Sequence, residues 1–308
     1  MSVLTTFPPF EAIRDLILLA KREDMAPAAL APEDDVTSRL LVPADAVSVG
    51  TLMQREVGVV CGLPIVEMIC KVYDERLRVE QIPGFHIEIT EGRFSDARST
   101  PLLRVRGPLR SLLSAERVVL NFLQHMGGVA TQTHRFVKRV AGTTARIYDT
   151  RKTRPGFRLL DKYAVRAGGG FNHRMGLYDG LLVKDNHIAS VPVRQLAAHL
   201  GKIVGTSRAE APGRMVVVEV DTLEQFREVL KVEGVNVVLL DNMDCPTMLQ
   251  AVALRDAAGR RGQVDLEASG GVTLETTRNV ALTGVDRIAV GAITHSAPAL
   301  DIGFDIEA

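Results

Sequence analysis

Residues 215–242 read MVVVEVDTLEQFREVLKVEGVNVVLLDN, two apolar runs around a segment whose apolar residues recur at helical spacing. The runs at 215–220 and 235–240 predict buried parallel strands, because a strand covered on both faces needs apolar side chains on both. A strand, a helix and a second strand in this order form a βαβ unit. We therefore predict an α/β fold around this stretch.

The same alternation extends along the chain on both sides. Further apolar runs predict strands at 146–148, 181–183, 264–267 and 287–290, with helical patterns between them. No glycine-rich dinucleotide-binding fingerprint accompanies these units. Repeated βαβ units without that fingerprint favour an α/β barrel over an open, doubly wound sheet.

The first third of the chain has a different pattern. Helical patterns and short apolar runs predict an α+β domain with antiparallel hairpins. The predicted helices are at 10–21 and 64–73, and the predicted strands are at 47–61, 77–82, 86–90 and 102–106. A longer helical pattern starts at Ser114, with a break or a kink expected at Gly127 and Gly128. We place the domain boundary near residue 113, which gives domains at 1–113 and 114–293. We expect segment 294–308 to join the first domain, with a strand at 299–306.

Composition excludes several classes of protein. The 308 residues are 46% hydrophobic and carry 37 Lys and Arg against 37 Asp and Glu, so the chain is globular and has no net charge to attract nucleic acid or an anionic membrane. Three cysteines without metal-binding spacing favour a reducing, cytoplasmic location. We find neither a signal peptide nor an apolar run long enough for a transmembrane helix.

Polar residues follow the predicted strands. In an α/β barrel the loops after the strands converge on one face, where active sites lie. Glu219 and Asp241 end two of these runs and could hold a hydrated Mg²⁺ against a pyrophosphate. Ser269, Gly270 and Gly291 follow the last two runs, where glycine turns let backbone N–H groups approach a phosphate.

A local excess of cations lies between two of these strand ends. Segment 149–187 carries eight Lys or Arg against four Asp in a neutral chain, and guanidinium groups suit carboxylates and phosphates. Each residue alone is equally well explained as a surface cation, a helix cap or a turn. Their convergence on consecutive strand ends favours a polyanion site.

The chain resembles the quinolinate phosphoribosyltransferase family along nearly its whole length, most strongly over 114–308. The motifs that carry the resemblance are Glu116-Arg117, Asn121-Phe122-Leu123, Asp149-Thr150-Arg151-Lys152-Thr153, Asn172-His173-Arg174, Lys184-Asp185-Asn186-His187, Glu219-Val220-Asp221, Leu240-Asp241-Asn242, Glu267-Ala268-Ser269-Gly270-Gly271 and Gly291-Ala292-Ile293-Thr294-His295-Ser296. The resemblance implies an open α+β sandwich domain and an incomplete, TIM-like α/β barrel. It also implies a homodimer with shared active sites, with larger assemblies left open.

The resemblance assigns roles by motif position. Quinolinate would be held by Arg151, His173, Arg174 and Lys184, with Arg117 of the partner subunit reaching in. Phosphoribosyl pyrophosphate would be held by Lys152, by Mg²⁺ near Glu219 and Asp241, and by Ser269, Gly270, Gly291 and His295. The implied catalytic residues are Lys152, Glu219 and Asp241.

The implied activity is phosphoribosyl transfer to quinolinate with decarboxylation. Its products are nicotinate mononucleotide, CO₂ and pyrophosphate, a step of de novo NAD biosynthesis by a pentosyl-class glycosyltransferase. Two alternatives stay open at this point. One is a related phosphoribosyltransferase with another acceptor, such as nicotinate or an anion of molybdenum metabolism, and the other is a barrel that binds a phosphate ligand without catalysis.

Overall fold

The computed structural model describes residues 6–25, 35–82, 91–96 and 99–307, and the chain divides into two compact units. The barrel unit comprises Arg135–Lys152 and Gly170–His295. The N-terminal unit comprises the described residues of Leu4–His134, together with Thr153–Gly169 and Ser296–Ala308. The domain boundary at residue 113 stays a prediction.

The first part of the chain alternates helices with short strands. They are α1 (Phe10–Met25), α2 (Val36–Leu41), β1 (Val47–Gln54), β2 (Gly58–Val59), α3 (Leu63–Tyr73), β3 (Arg78–Glu80), β4 (Phe94–Ser95), β5 (Thr100–Pro108) and α4 (Leu109–Arg139). The predicted strand at 47–61 is thus two strands, β1 and β2. The strand expected at 86–90 lies outside the described residues.

The rest of the chain alternates strands and helices with regularity. It contains β6 (Arg146–Tyr148), α5 (Arg158–Ala167), β7 (Leu181–Val183), α6 (Asp185–Ile188), α7 (Val193–Glu210), β8 (Val216–Val220), α8 (Leu223–Leu230), β9 (Val237–Asp241), α9 (Cys245–Ala257), β10 (Asp265–Ser269), α10 (Thr277–Leu282), β11 (Arg287–Ala289), α11 (Ala292–His295) and β12 (Ile302–Ile306). The strands predicted from apolar runs are therefore confirmed as β6 to β11.

Local sequence explains where the helices of the barrel unit begin. Thr222 accepts a hydrogen bond from Gln225 N while the Gln225 side chain accepts from Thr222 N, a capping box that starts α8. Asp244 accepts from Thr247 N and is followed by Pro246 in the first turn of α9. Each helix thus begins just after a strand end, which keeps the connecting loops short.

The N-terminal unit contains a four-stranded antiparallel sheet in the order β12-β1-β5-β3. The final strand pairs with the first, with Gly50 opposite Ile306. Apolar side chains of α3 and the sheet, among them Ile65, Ile69, Leu52 and Leu103, are almost completely buried. An antiparallel sheet with an apolar covered face is the sandwich-type domain that the family resemblance implies.

The expected break in α4 is absent, since the helix runs unbroken through Gly127 and Gly128. The reason is packing within the N-terminal unit. A Cβ on Gly128 would lie 2.0 Å from the carbonyl oxygen of Pro298, and one on Gly127 would lie 2.9 Å from Cδ2 of Leu300. The absence of side chains at these glycines leaves room for the C-terminal segment to pack against the helix. This packing stabilises the helix and offsets the destabilising effect of glycine within it.

The barrel unit contains a six-stranded parallel sheet in the order β6-β11-β10-β9-β8-β7. The first strand pairs with the last, Arg146 opposite Arg287, so the sheet curls round in the manner of a barrel. Among the described residues, no pairing joins β6 to β7, and the barrel is therefore incomplete. The predicted fold class is confirmed. In this described part of the chain, no helix combines the length and hydropathy needed to span a membrane.

Candidate active site

Every strand of the parallel sheet contributes to one cavity of about 440 Å³ in the barrel unit. The lining residues lie on these strands, in the loops that follow them or in the segment before β7, and are Thr150, Arg151, Lys152, His173, Arg174, Leu182, Lys184, Glu219, Leu239, Asp241, Glu267, Ser269 and Ala289. Parallel strands end at one edge of the sheet, so side chains distant in sequence meet there.

Two arginines give the cavity donors for an anion. The Nε atoms of Arg151 and Arg174 are buried and have no hydrogen-bond partner among the described residues. Burial and the charge of Arg151 both lower the pKa of Arg174, and Asp179 only partly opposes them. Two neighbouring guanidinium groups with unused donors favour an anionic ligand that would satisfy both.

A lysine and several carboxylates form a second charged group in the same cavity. Lys184 Nζ lies 4.0 Å from Glu219 Oε2. Burial raises the pKa of Glu219; the Lys184 charge lowers it in part, and Asp241, Asp185 and Asp221 raise it further. Carboxylates that raise one another's pKa create a negative potential, which a bound cation would relieve.

Lys152 is fixed by the short helix α11. The hydroxyl of Thr294 donates to the carbonyl oxygen of Lys152 at 2.7 Å, and the backbone N of Lys152 donates to Thr150 Oγ1 at 3.0 Å. A Cβ on Gly291 would lie 3.1 Å from His295 Nε2 and 3.2 Å from Lys152 Cδ. Lys152, Gly291 and His295 therefore meet at the end of β11.

The glycine turn after β10 also has its own packing reason. Gly270 has φ of 93°, a backbone conformation that residues with side chains rarely adopt. A Cβ there would also lie 2.1 Å from Asn242 Oδ1. Asn242 N donates to the carbonyl oxygen of Ser269, which ties this turn to the end of β9. The backbone next to Ser269 is therefore held close to Asp241.

His173 is held from its backbone as well as from its ring. Asp149 is completely buried, accepts from the backbone N of His173 at 2.7 Å, and accepts from Asn172 Nδ2 at 2.8 Å. The His173 ring nitrogen Nε2 lies 2.5 Å from Glu267 Oε1. Glu267 is the residue that the sequence analysis left without a role, although a glutamate within an apolar run of a parallel strand was a usable signal.

Comparisons with known proteins agree along the chain. The family profile of the quinolinate phosphoribosyl transferase N-terminal domain matches residues 35–127, and that of the C-terminal domain matches residues 129–305. The chain belongs to the quinolinate phosphoribosyltransferase family. Both halves match, so the chain carries both domains that define quinolinate phosphoribosyltransferases.

Individual quinolinate phosphoribosyltransferases are similar over most of their length. Nicotinate-nucleotide pyrophosphorylase [carboxylating] of Mycobacterium leprae is 43% identical over 96% of this chain and 98% of its own. Quinolinate phosphoribosyltransferase [decarboxylating] 2, mitochondrial, of Nicotiana glauca is 37% identical over 97% of this chain and 83% of its own. The structure of the nicotinate-nucleotide pyrophosphorylase from Francisella tularensis matches with a TM-score of 0.83 at 31% identity, covering 97% of this chain and 98% of that one.

Most of the residues implied by the resemblance to quinolinate phosphoribosyltransferases lie together. The cavity is lined by Arg151, Lys152, His173, Arg174, Lys184, Glu219, Asp241 and Ser269. Gly270 follows Ser269, and Gly291 and His295 lie beside Lys152. Arg117 is an exposed residue of α4 in the N-terminal unit and is not among the residues that line this cavity.

Proposed function

We propose that this chain transfers the phosphoribosyl group of phosphoribosyl pyrophosphate to quinolinate with decarboxylation, giving nicotinate mononucleotide, CO₂ and pyrophosphate in NAD biosynthesis. The observation that carries the proposal is the pair of buried, unpartnered Nε donors on Arg151 and Arg174 in a cavity shared with Lys184 and His173. Four cationic or protonatable side chains suit a dianion such as quinolinate better than the single carboxylate of nicotinate.

In this proposal the cations orient the acceptor. Arg151 and Arg174 hold the carboxylates by paired hydrogen bonds, and Lys184 adds charge from the next strand end. The pyridine nitrogen then attacks C1 of the ribose while the pyrophosphate leaves. Holding both reactants in one cavity supplies most of the catalysis, because the reaction requires no covalent attachment to the protein.

Lys152 acts on the leaving group. Its backbone is fixed by Thr294, and its side chain passes Gly291, beside His295. An ammonium held at this place stabilises negative charge as it develops on the departing pyrophosphate. Ser269 and the turn at Gly270 supply backbone N–H groups for the 5′-phosphate.

Decarboxylation follows from the charge on the new product ring. Once the ring nitrogen is ribosylated, its positive charge stabilises the electron pair that stays on the neighbouring ring carbon as CO₂ departs. The protein must hold the ring while the carbon is protonated. Glu219 and Asp241 line the cavity, and in this proposal their charges stabilise the positive charge that develops on the sugar.

The residues present fit Mg²⁺. Glu219 and Asp241 both line the cavity and interact electrostatically, and no group of three or more His, Cys, Asp or Glu arranged for a metal occurs among the described residues. Two carboxylates suit Mg²⁺, which keeps several waters and completes its shell with substrate phosphates. The chemistry it supplies when bound is neutralisation of the pyrophosphate charge.

The quaternary part of the proposal is a homodimer with shared sites. Arg117 is exposed on α4, a position that leaves its guanidinium available to a second subunit's cavity. A mixture of Arg117→Ala and Lys184→Ala subunits would regain activity, because half of the mixed sites would be intact. No recovery after confirmed subunit exchange would contradict shared sites. The cytoplasmic location stays a prediction.

The decisive experiment compares two acceptors. Purified protein with Mg²⁺, phosphoribosyl pyrophosphate and quinolinate labelled in its 2-carboxylate should release labelled CO₂ and form nicotinate mononucleotide. Nicotinate in place of quinolinate should give no product, and chelation of Mg²⁺ should reduce turnover. Absence of product from quinolinate, in protein shown to be folded, would overturn the proposal.

A further inference from the structure

A fully buried carboxylate lies in the wall of the cavity that also contains the cations proposed to bind quinolinate. Glu267 is 0% exposed and lies in the middle of β10, opposite Arg287 on β11 and Leu239 on β9. A negative charge here repels an anionic ligand, and burial of an ion is costly unless partners compensate it. Two side chains, Arg287 and His173, compensate this charge.

The first partner is Arg287, which cancels the charge of Glu267. Arg287 Nε lies 2.7 Å from Glu267 Oε2, and both side chains are almost completely buried. The two groups form an ion pair, but the N–H of Nε is not aligned for a hydrogen bond. The guanidinium carbon lies 3.8 Å from the centre of the Tyr148 ring. Arg287 is therefore fixed between the carboxylate and an aromatic face.

The second partner is His173, the only one of the two that also lines the cavity. Glu267 Oε1 accepts from Nε2 of this imidazole at 2.5 Å. Burial alone would raise the pKa of Glu267, but His173 and Arg287 outweigh it and hold that pKa below its ordinary value. The carboxylate is thus ionised and can only accept, which places the hydrogen on Nε2.

The remaining contacts stop the imidazole from turning. The ring packs edge-on to Tyr148 with centres 6.0 Å apart, and the backbone N of His173 donates to Asp149. The charged groups around the ring are Glu267 on β10, Arg287 on β11, Asp149 after β6 and the neighbouring Arg174, with the other cavity cations Arg151, Lys152 and Lys184. Glu267 is the carboxylate that bonds the ring itself.

We propose that Glu267 is a positioning residue: by accepting the hydrogen bond from Nε2 it holds the His173 ring in one orientation in the wall of the cavity, while Arg287 cancels the charge of Glu267 itself. The inference rests on the proposed function, in which His173 meets quinolinate.

A double-mutant cycle tests whether Glu267 acts through His173. Quinolinate affinity is measured by calorimetry, without phosphoribosyl pyrophosphate, for Glu267→Gln, His173→Gln and the double variant. We expect Glu267→Gln to weaken binding about fivefold, the effect of losing one hydrogen bond that fixes the imidazole ring. In the His173→Gln background, the same Glu267→Gln change should weaken quinolinate binding by no more than a factor of about two, which is within the usual error of additivity. Equal losses in both backgrounds would show a merely structural role and overturn the inference.

A matched control tests whether the position of the carboxylate matters. Glu224 lies on the exposed surface of α8 and is not among the residues that line the cavity. Glu224→Gln removes a carboxylate in the same way and should leave the affinity for quinolinate unchanged. A loss equal to that of Glu267→Gln would contradict the inference.

A measurement on wild-type protein guards against a variant that does not fold. Nitrogen-15 NMR of the histidine rings, with His173 assigned by its loss in His173→Gln, should show hydrogen on Nε2 throughout the pH titration. A neutral ring with its hydrogen on Nδ1 would overturn the inference. Neither this spectrum nor the binding cycle requires turnover, so failure of the proposed reaction is read separately from the release of nicotinate mononucleotide.

Discussion

The hydroxyl of Thr294 donates a hydrogen bond to the carbonyl oxygen of Lys152 across 2.7 Å. Thr294 lies in α11, after the last strand of the parallel sheet, and Lys152 follows the first. Because β6 and β11 are neighbours in the sheet, one side chain fixes the loop that carries a proposed catalytic lysine.

Thr294→Val should lower kcat/KM for phosphoribosyl pyrophosphate severalfold. Valine keeps the shape but removes the donor, and the carbonyl oxygens of Lys152 and Gly291 lose their hydroxyl partner. A lost hydrogen bond of this kind costs about 1 kcal/mol. Steady-state kinetics with both substrates measure the effect, and Thr294→Ser, which keeps the hydroxyl, should restore most of it. A serine variant as impaired as valine would contradict this explanation.

Arg151→Ala should raise the Kd for quinolinate. Removing one partner of a desolvated charge pair costs about 2 to 5 kcal/mol. Arg151→Lys keeps the charge but not the paired donors and should recover only part of the loss. Calorimetry gives the affinities, with Arg194→Ala on the exposed face of α7 as the control. An unchanged Kd in the alanine variant would remove Arg151 from the carboxylate site.

Lys152→Met should reduce kcat far more than it changes quinolinate binding. The ammonium acts on charge that develops in the transition state, so its loss is expressed in turnover. Single-turnover rates at saturating substrate, together with the Kd for quinolinate, separate the two effects. Turnover equal to that of wild type would show that Lys152 is not in the mechanism.

Gly270→Ala should damage the phosphate site specifically. A Cβ there would meet Asn242 Oδ1 at 2.1 Å, whereas one on Gly271 would meet nothing within 4 Å. Both residues have positive φ, 93° and 59°, so both variants strain the backbone. Only Gly270→Ala also brings a Cβ against Asn242. We expect a larger rise in KM for phosphoribosyl pyrophosphate in Gly270→Ala than in Gly271→Ala. A larger rise in Gly271→Ala would refute the close-approach argument.

Asp74→Asn should destabilise the folded chain at neutral pH, and by less at pH 3. Hydrogen bonds from Arg76, and then from Ser111, outweigh burial and hold the pKa of Asp74 well below its ordinary value of 3.8. The carboxylate therefore contributes fully above about pH 4, and its contribution is lost as pH falls toward the folded-state pKa. We expect a loss of about 1 to 2 kcal/mol at pH 7. Urea unfolding at pH 7 and pH 3 checks this, with Asp45→Asn on an exposed turn as the control.

The sequence predicts the parallel sheet well because its strands are short, buried on both faces and therefore apolar, as 235–240 shows. It also predicts much of the cavity, since convergence of strand ends is a property of the topology. Glycines in α4 are different. Whether Gly127 and Gly128 break a helix depends on what packs against them, and that segment, at 298–300, is far away in sequence.

Sequence patterns mark Glu267 as unusual but do not identify its partners. Its contact with His173 spans 94 residues, and its contact with Arg287 depends on the register of β10 against β11. A periodic pattern shows that Glu267 shares a strand with apolar residues. Which residues lie opposite it follows only from the three-dimensional sheet.

In each sheet a strand pairs with one that lies much later in the chain: β6 with β11, and β1 with β12. During synthesis on the ribosome, β1 and β6 therefore emerge long before these partners. Until β11 and β12 have emerged, the strand edges that they cover are unpaired, and unpaired edges are surfaces from which chains aggregate. We therefore expect correct folding to benefit when nascent chains stay apart until β12 has emerged.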